Sequence, residues 1–366
     1  MSIKLREILD GASRFAASDV HLSEGHPPTV RVHGILRIVQ APPLDHETMV
    51  EYLNEIMPPI HAPLMEKNRC ADFAYCIGEE RRYRVSSYYE RGKMKIVLRN
   101  IPMTIPTLEE IDLPETLKTI ALLNQGMVLV TGATGSGKST SLASMIQYAN
   151  SVRSLCIITI EDPIEFVHHN NKSIVTQREV GVDVLSFNAG LVQALRQDPD
   201  VILIGEMRDV DTMRVAIKSA ETGHLVFSTL HTTNAVQTVE RIIATFNAEE
   251  RDMVREQIAY NMKSAISQRL VRRVGGQGRI AAMEIMIVNG SIQKLIYDDR
   301  IRDIPGIIAG RQDGMMKFDQ SLADLVRAQK VDQAEAETAC DDVAALRRFI
   351  KGKTATGESG GIIGGW

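Results

Sequence analysis

Along the first hundred residues the apolar positions change period several times. Leu5, Ile8, Leu9, Ala12 and Phe15 recur at helical spacing and predict an amphipathic first helix. Short alternating segments follow. Val30 and Val32 share one face of residues 29–33, and a His33-Gly34 turn separates these from 35–39. Residues 72–77, 82–88 and 95–98 read as further strands, which makes 1–100 a small α+β domain.

From residue 126 the pattern becomes an alternation of strands and helices. Aliphatic and β-branched runs at 127–130, 156–160, 201–204, 225–229 and 280–287 suit a mostly parallel sheet covered on both faces. Between the halves, Ile101-Pro102-Met103-Thr104-Ile105-Pro106 is extended, because a residue before proline is pushed out of the α region. Thr107-Leu108-Glu109-Glu110 then resembles a capping box. The expected division is an N-terminal domain at 1–100, a linker at 101–112, an α/β core at 113–290 and a helical region at 291–352. A Gly- and Ser-rich flexible tail at 353–366 ends the chain, with Trp366 a tail residue rather than a docking anchor.

Composition narrows the function classes. Net charge of −4 argues against nucleic acid as the main ligand, and with it against a DNA-translocating ATPase. No run approaches the roughly 18 apolar residues of a membrane span. Lys4, Arg6, Glu7 and Asp10 at the start are unlike a signal peptide. Cys70, Cys76, Cys156 and Cys340 are scattered without a C-x-x-C pair, which fits a reducing cytoplasm and no zinc site.

The chemistry is concentrated in the core. Gly132, Ala133, Thr134, Gly135, Ser136, Gly137, Lys138 and Ser139 spell G-x-x-x-x-G-K-[ST] between an apolar strand and a helix that Thr140 helps to open. Glycines let backbone N–H groups turn toward phosphates, and the helix aims its positive end at them. Lys138 would reach the β- and γ-phosphates, and the Ser139 hydroxyl would join a Mg²⁺ shell. A Gly-rich turn that merely contains Lys-Ser would not need those flanks. The ligand expected is a nucleoside triphosphate, ATP with Mg²⁺.

Three further segments supply what phosphoryl transfer needs. Asp200-Val201-Ile202-Leu203-Ile204-Gly205-Glu206 is an apolar strand ending in a carboxylate, with Glu206 expected at the Mg²⁺ site. Glu161, Asp162 and Glu165 end another strand, and open α/β sheets bind ligands beyond their carboxyl ends. Glu161 is the first choice for orienting or deprotonating water, Glu165 the second. His224 and His231 bracket residues 225–229, where either would sense the γ-phosphate or bond to the carboxylates.

The ordered set GATGSGKST, TIEDPIEF, DPDVILIGEMRD and TGHLVFSTLHT resembles the Walker A, Asp, Walker B and His boxes of the secretion ATPases. Within that family it is similar to the type IV pilus retraction, or twitching motility, ATPases PilT and PilU. The likeness runs from about Leu5 to about Lys351 and includes the opening ASDVHLSEGHPPTVRVHG. It implies a RecA-like P-loop domain with a smaller N-terminal PAS-like α+β domain, assembled as a homo-hexamer with ATP between the two domain types. The resemblance also implies catalytic arginines from the N-terminal domain, and Arg84 and Arg99 match those positions. Arg82 is as well explained by a solvated strand face.

Two absences refine the expectation. Pilus-assembly and type II secretion ATPases carry an extra N-terminal domain and a four-cysteine zinc motif, and neither is seen here, which favours retraction over extension. The PilT motif Ala-Ile-Arg-Asn-Leu-Ile-Arg-Glu corresponds to residues 291–299 here, SIQKLIYDD, which keep its apolar spacing and lose its arginines. Residues 105–117, 132–148, 174–181, 318–320 and 342–351 look like PilU, the accessory branch. The resemblance thus implies a cytoplasmic ATPase at the inner-membrane face, acting on a platform protein beside a PilT-type ATPase. A regulatory or structural ATP-binding partner with little turnover is the alternative.

Overall fold

The computed structural model describes residues 3–352 except His33, Glu79 and Gln277, so Trp366 and the expected tail lie outside the described residues. The chain divides into two compact units, Met1–Ile105 with Pro163–Val167, and Pro106–Asp162 with His168–Trp366.

In the N-terminal unit, strands β1 (Asp19–Ser23), β2 (Thr29–Val32), β3 (Ile35–Ile38), β4 (Cys70–Ile77), β5 (Arg81–Glu90) and β6 (Lys93–Ile101) form one sheet. Its order is β3-β2-β1-β6-β5-β4, antiparallel throughout. Helices Leu5–Arg14, His46–Ile56 and Ala62–Asn68 accompany the sheet. Leu9, Met49, Leu53 and Met65 from the helices share a core with Val20, Leu22, Val85, Ile96 and Leu98 from the strands. The first helix stops at Arg14, so Phe15 is its C-cap rather than part of its apolar face, and it is exposed. Strands β5 and β6 run past the lengths their apolar alternation predicts, because charged residues at their ends still pair across the sheet.

The core sheet contains β7 (Gly126–Thr131), β8 (Cys156–Glu161), β9 (Ile174–Glu179), β10 (Val201–Ile204), β11 (Leu225–Leu230), β12 (Met262–Arg272) and β13 (Arg279–Ile287). Their order is β13-β12-β7-β11-β10-β8-β9. All neighbours are parallel except β12 and β13. Side chains of alternate parity feed two apolar clusters, with Met127 and Leu129 in one and Val128 and Val130 in the other. Burial on both faces is why β7, β10 and β11 read as continuous apolar runs. Strand β12 is different, since Ser264, Ser267 and Gln268 are buried within it.

Beyond the core strands, helices Gly290–Tyr297, Ile304–Ala309, Phe318–Arg327, Gln333–Ala339 and Val343–Ile350 form the C-terminal region. Leu322, Ala336 and Leu346 from these helices pack with Val271 of β12 and Ile280 of β13. At the other end of this unit, Thr107 N–H donates to Glu110 (2.8 Å) and Glu110 N–H donates back to Thr107 Oγ1 (3.2 Å). The reciprocal pair forms but closes a turn, and the helix starts only at Thr116, after Pro114.

Candidate functional site

The parallel strands all present their carboxyl ends at one edge, and the phosphate loop leaves β7 there. Gly132 has φ 144° and Gly137 has φ 89°. A Cβ at Gly132 would lie 2.5 Å from the Gln268 carbonyl oxygen, and one at Gly137 2.7 Å from Gln268 Nε2. Backbone angle calls for glycine at both positions, and at Gly132 the close approach of the β12 backbone adds to it. Helix Lys138–Val152 begins directly after Gly137. Lys138 is 8% exposed, with Nζ donating to the carbonyls of Gly132 (2.8 Å) and Ala133 (3.0 Å). Its ammonium is thus held inside the loop that it serves.

Two acids emerge from neighbouring strands at the same edge. Ile160 of β8 pairs with Ile204 of β10, so Glu161 and the Gly205-Glu206 pair follow side by side. Glu161 Oε1 accepts from the Thr159 hydroxyl (2.7 Å) and the Gln177 amide (3.0 Å). Gln177 in turn accepts the His168 N–H at 2.8 Å. Burial pushes the His168 imidazole down to about 4, with adjacent His169 adding to the effect. The Thr229 hydroxyl fixes the Gly205 carbonyl at 2.6 Å. Glu206 pairs with Arg208, and its Oε2 lies 3.6 Å from His231 Nε2. A phosphate cradle, two oriented carboxylates and a histidine thus share one sheet edge.

A model of the type II/IV secretion system protein family matches residues 2–357. The chain belongs to that family. It is 44% identical to the type IV pilus retraction ATPase PilT of Pseudomonas aeruginosa, over 88% of this chain and 94% of that protein. To the type IV pilus ATPase PilU of the same organism it is 41% identical, over 91% of this chain and 88% of that one. The crystal structure of the pilus retraction motor PilT with bound ADP matches with a TM-score of 0.89 and 39% identity, covering 95% of this chain and all of that one. These likenesses make the chain a PilT/PilU-type pilus ATPase with a RecA-like core and a smaller N-terminal domain. Identities of 44% and 41% do not separate the PilT and PilU branches.

In this secretion ATPase not every expected residue joins the site. His224 is a correction. It precedes β11, where Leu225 pairs with Gly126 at the start of β7, whereas Leu230 pairs with Thr131 before the loop. At about 3.3 Å per residue, a six-residue strand separates His224 from the phosphate edge. Its Nδ1 instead contacts the Ser219 carbonyl at 3.0 Å, near the end of helix Val210–Glu221. Glu165 falls in Pro163–Val167, which groups with the N-terminal unit, and it is exposed.

Arg84 and Arg99 lie in that same N-terminal unit, where they are direct cross-strand partners on β5 and β6. Arg99 also pairs across to Asp19 of β1, which pairs with Arg31 of β2. The row reads Arg84, Arg99, Asp19, Arg31. Asp19 is buried and accepts Arg99 Nε at 2.8 Å, while no ion pair involves Arg84 among the described residues.

Sequence reasoning missed Gln177, Gln268 and Ser267. The Ser267 and Thr131 hydroxyls are 2.8 Å apart, which joins β12 to the last residue before the loop. Such polar residues in a strand carry no motif of their own. Their one signal is polarity at positions that the flanking aliphatic residues mark as core.

Proposed function

We propose that this chain is an ATP-hydrolysing motor subunit for type IV pilus retraction, working as a homo-hexamer at the cytoplasmic face of the inner membrane. Its partners in this reading are a PilT-type ATPase and the pilus platform protein. The observation that carries the proposal is the shared carboxyl edge, where the 132–139 loop, Glu161, Glu206 and His231 come from consecutive parallel strands. No helix among the described residues is long and apolar enough to cross a membrane.

The residues define a division of labour. Loop N–H groups and Lys138 bind the β- and γ-phosphates. The buried Ser136 hydroxyl, unpartnered among the described residues, adds a donor at the loop. Glu161, its Oε1 fixed by two donors, orients the attacking water and takes its proton through the carboxylate. His231 beside Glu206 reports the γ-phosphate to β11. Among the described residues no cluster of three or more His, Cys, Asp or Glu could hold a metal ion. That fits Mg²⁺, which takes one or two protein ligands and completes its shell with phosphate oxygens and water. Ser139 and Glu206 would hold it, and bound there it neutralises charge developing on the phosphates.

Arg84 and Arg99 are proposed to reach the γ-phosphate held by a neighbouring subunit. Like charges directly opposite one another destabilise a sheet, and an anion between them turns that cost into binding. Asp19 holds Arg99 through Nε, which leaves the outer face of the guanidinium fork for phosphate.

The test is Mg²⁺-dependent ATP hydrolysis by the purified chain, with its mass measured in solution. Turnover by a hexamer supports the motor. ATP binding without turnover favours the second reading, a regulatory partner of a PilT hexamer. One observation speaks for that alternative. Helix Gly290–Tyr297 buries Ile292 and Ile296, while Gln293 and Tyr297 stand where the PilT motif has arginines.

A further inference from the structure

The amide of Gln268 touches the phosphate loop and the helix behind it at once. Its Nε2 donates to the Ser136 carbonyl at 2.8 Å, and its Oε1 accepts from the Ser141 hydroxyl at 2.8 Å. Gln268 is 2% exposed. No water competes for either end, so both hydrogen bonds must come from the protein. We infer that Gln268 is a positioning residue for ATP binding, setting the direction of a loop N–H group that meets phosphate. This rests on the nucleotide reading of the 132–139 loop.

The geometry follows from the planar, trans peptide. Carbonyl and N–H of one peptide unit point in opposite directions. Holding the Ser136 carbonyl toward β12 turns the Gly137 N–H away from β12, into the concave side of the loop. Without that hold, the glycine-flanked peptide between Ser136 and Gly137 is free to rotate, because Gly137 has no Cβ to resist. The second bond fixes the first turn of the helix, three residues after Lys138. One side chain thereby sets the loop and the helix N-terminus as a single unit. The role requires one donor and one acceptor on a planar group, which is what an amide offers.

Three full-length variants test this, with binding of MgATP and MgADP measured by calorimetry and folding checked by thermal melting. Gln268→Met keeps the volume and removes both bonds, and it should weaken both nucleotides about ten-fold. Ser141→Ala removes only the helix-side bond and should cost about three-fold. Gln268→Glu is the decisive variant. Ionised at pH 8, it has no proton to give Ser136 and should bind as poorly as Gln268→Met. Protonated toward pH 6, as burial favours, it donates again and should recover toward wild type. A purely packing role would lower the melting temperature and leave the affinity ratio of Gln268→Glu to wild type flat with pH. That flat ratio, or wild-type affinity in Gln268→Met, overturns the assignment. If Lys138→Ala binds nucleotide as wild type does, the nucleotide reading of the loop fails instead.

Discussion

His224 and His231 flank the same strand, seven residues apart, and meet different partners. At the amino edge of the core sheet, polar side chains satisfy backbone. His224 meets the Ser219 carbonyl, and Asp200 accepts the Cys156 N–H at 2.8 Å. At the carboxyl edge, side chains that hold backbone, such as Lys138 and Thr229, are joined by polar side chains that meet one another, as in Thr159–Glu161–Gln177 and Arg208–Glu206–His231. Residue type is the same at the two edges. Position along the parallel strand decides whether a group stands at the edge where open α/β sheets take their ligands.

The sharpest break of that contrast is Lys138→Ala, which should reduce ATP turnover about a thousand-fold, since it removes the one ammonium in the loop. Steady-state phosphate release measures it. Glu161→Gln should slow turnover about a hundred-fold while ATP stays bound. Wild-type turnover in that variant would shift the water-orienting role to Glu165.

His168, behind Gln177, gives the carboxyl edge a pH limit. Its folded value of about 4 lies below the ordinary 6.5, so the unfolded chain binds the proton more readily. Its contribution is fully present above pH 6.5 and is lost as pH falls toward 4. Chemical denaturation at pH 7.5 and 5 should show about 2 kcal/mol less stability at the lower pH from this residue. His168→Gln should flatten that part of the acid limb, and an unchanged slope would remove His168 as its source.

The smallest effects come from the paired histidines. His231→Ala should slow turnover about ten-fold. His224→Ala should leave turnover within about two-fold and lower the melting temperature by about 2–4 °C, the worth of one hydrogen bond in a unit of this size. Equal kinetic losses from the two variants would refute the division between the edges.

Much of the core was legible because β7, β8, β10, β11 and β13 are aliphatic runs buried on both faces. The phosphate loop was legible for a different reason, since its residue types and spacing follow from phosphate geometry. Strand β12 was not read at all. Met262–Arg272 interleaves Lys263, Ser264, Ser267, Gln268 and Arg269 among its apolar residues. Ser267 and Gln268 are buried where they bond to the end of β7 and its loop, and buried Ser264 donates to Met286 of β13. Helices His46–Ile56 and Ala62–Asn68 were missed in the N-terminal unit, where Pro58, Pro59 and Pro63 break the local pattern. The two histidines were read alike although chain direction puts His224 at the amino end of its strand and His231 at the carboxyl end, because the carboxyl-end rule used for the acids was not carried over to them. The row of Arg31, Asp19, Arg99 and Arg84 lay across four strands, and only the register could assemble it.

The contact between β12 and the loop bears on how this motif is to be read in related chains. Gly132 is needed by the neighbouring strand's backbone as much as by phosphate, and Gly137 by its own backbone angle. A descendant that had lost all turnover would still be obliged to keep Gly132, or its sheet would have to move, and would keep Gly137 for its positive φ. Preserved glycines therefore record inheritance of an architecture. Lys138, Glu161 and Glu206, which nothing in the packing of β12 requires, are the positions where a silenced motor would first show its silence.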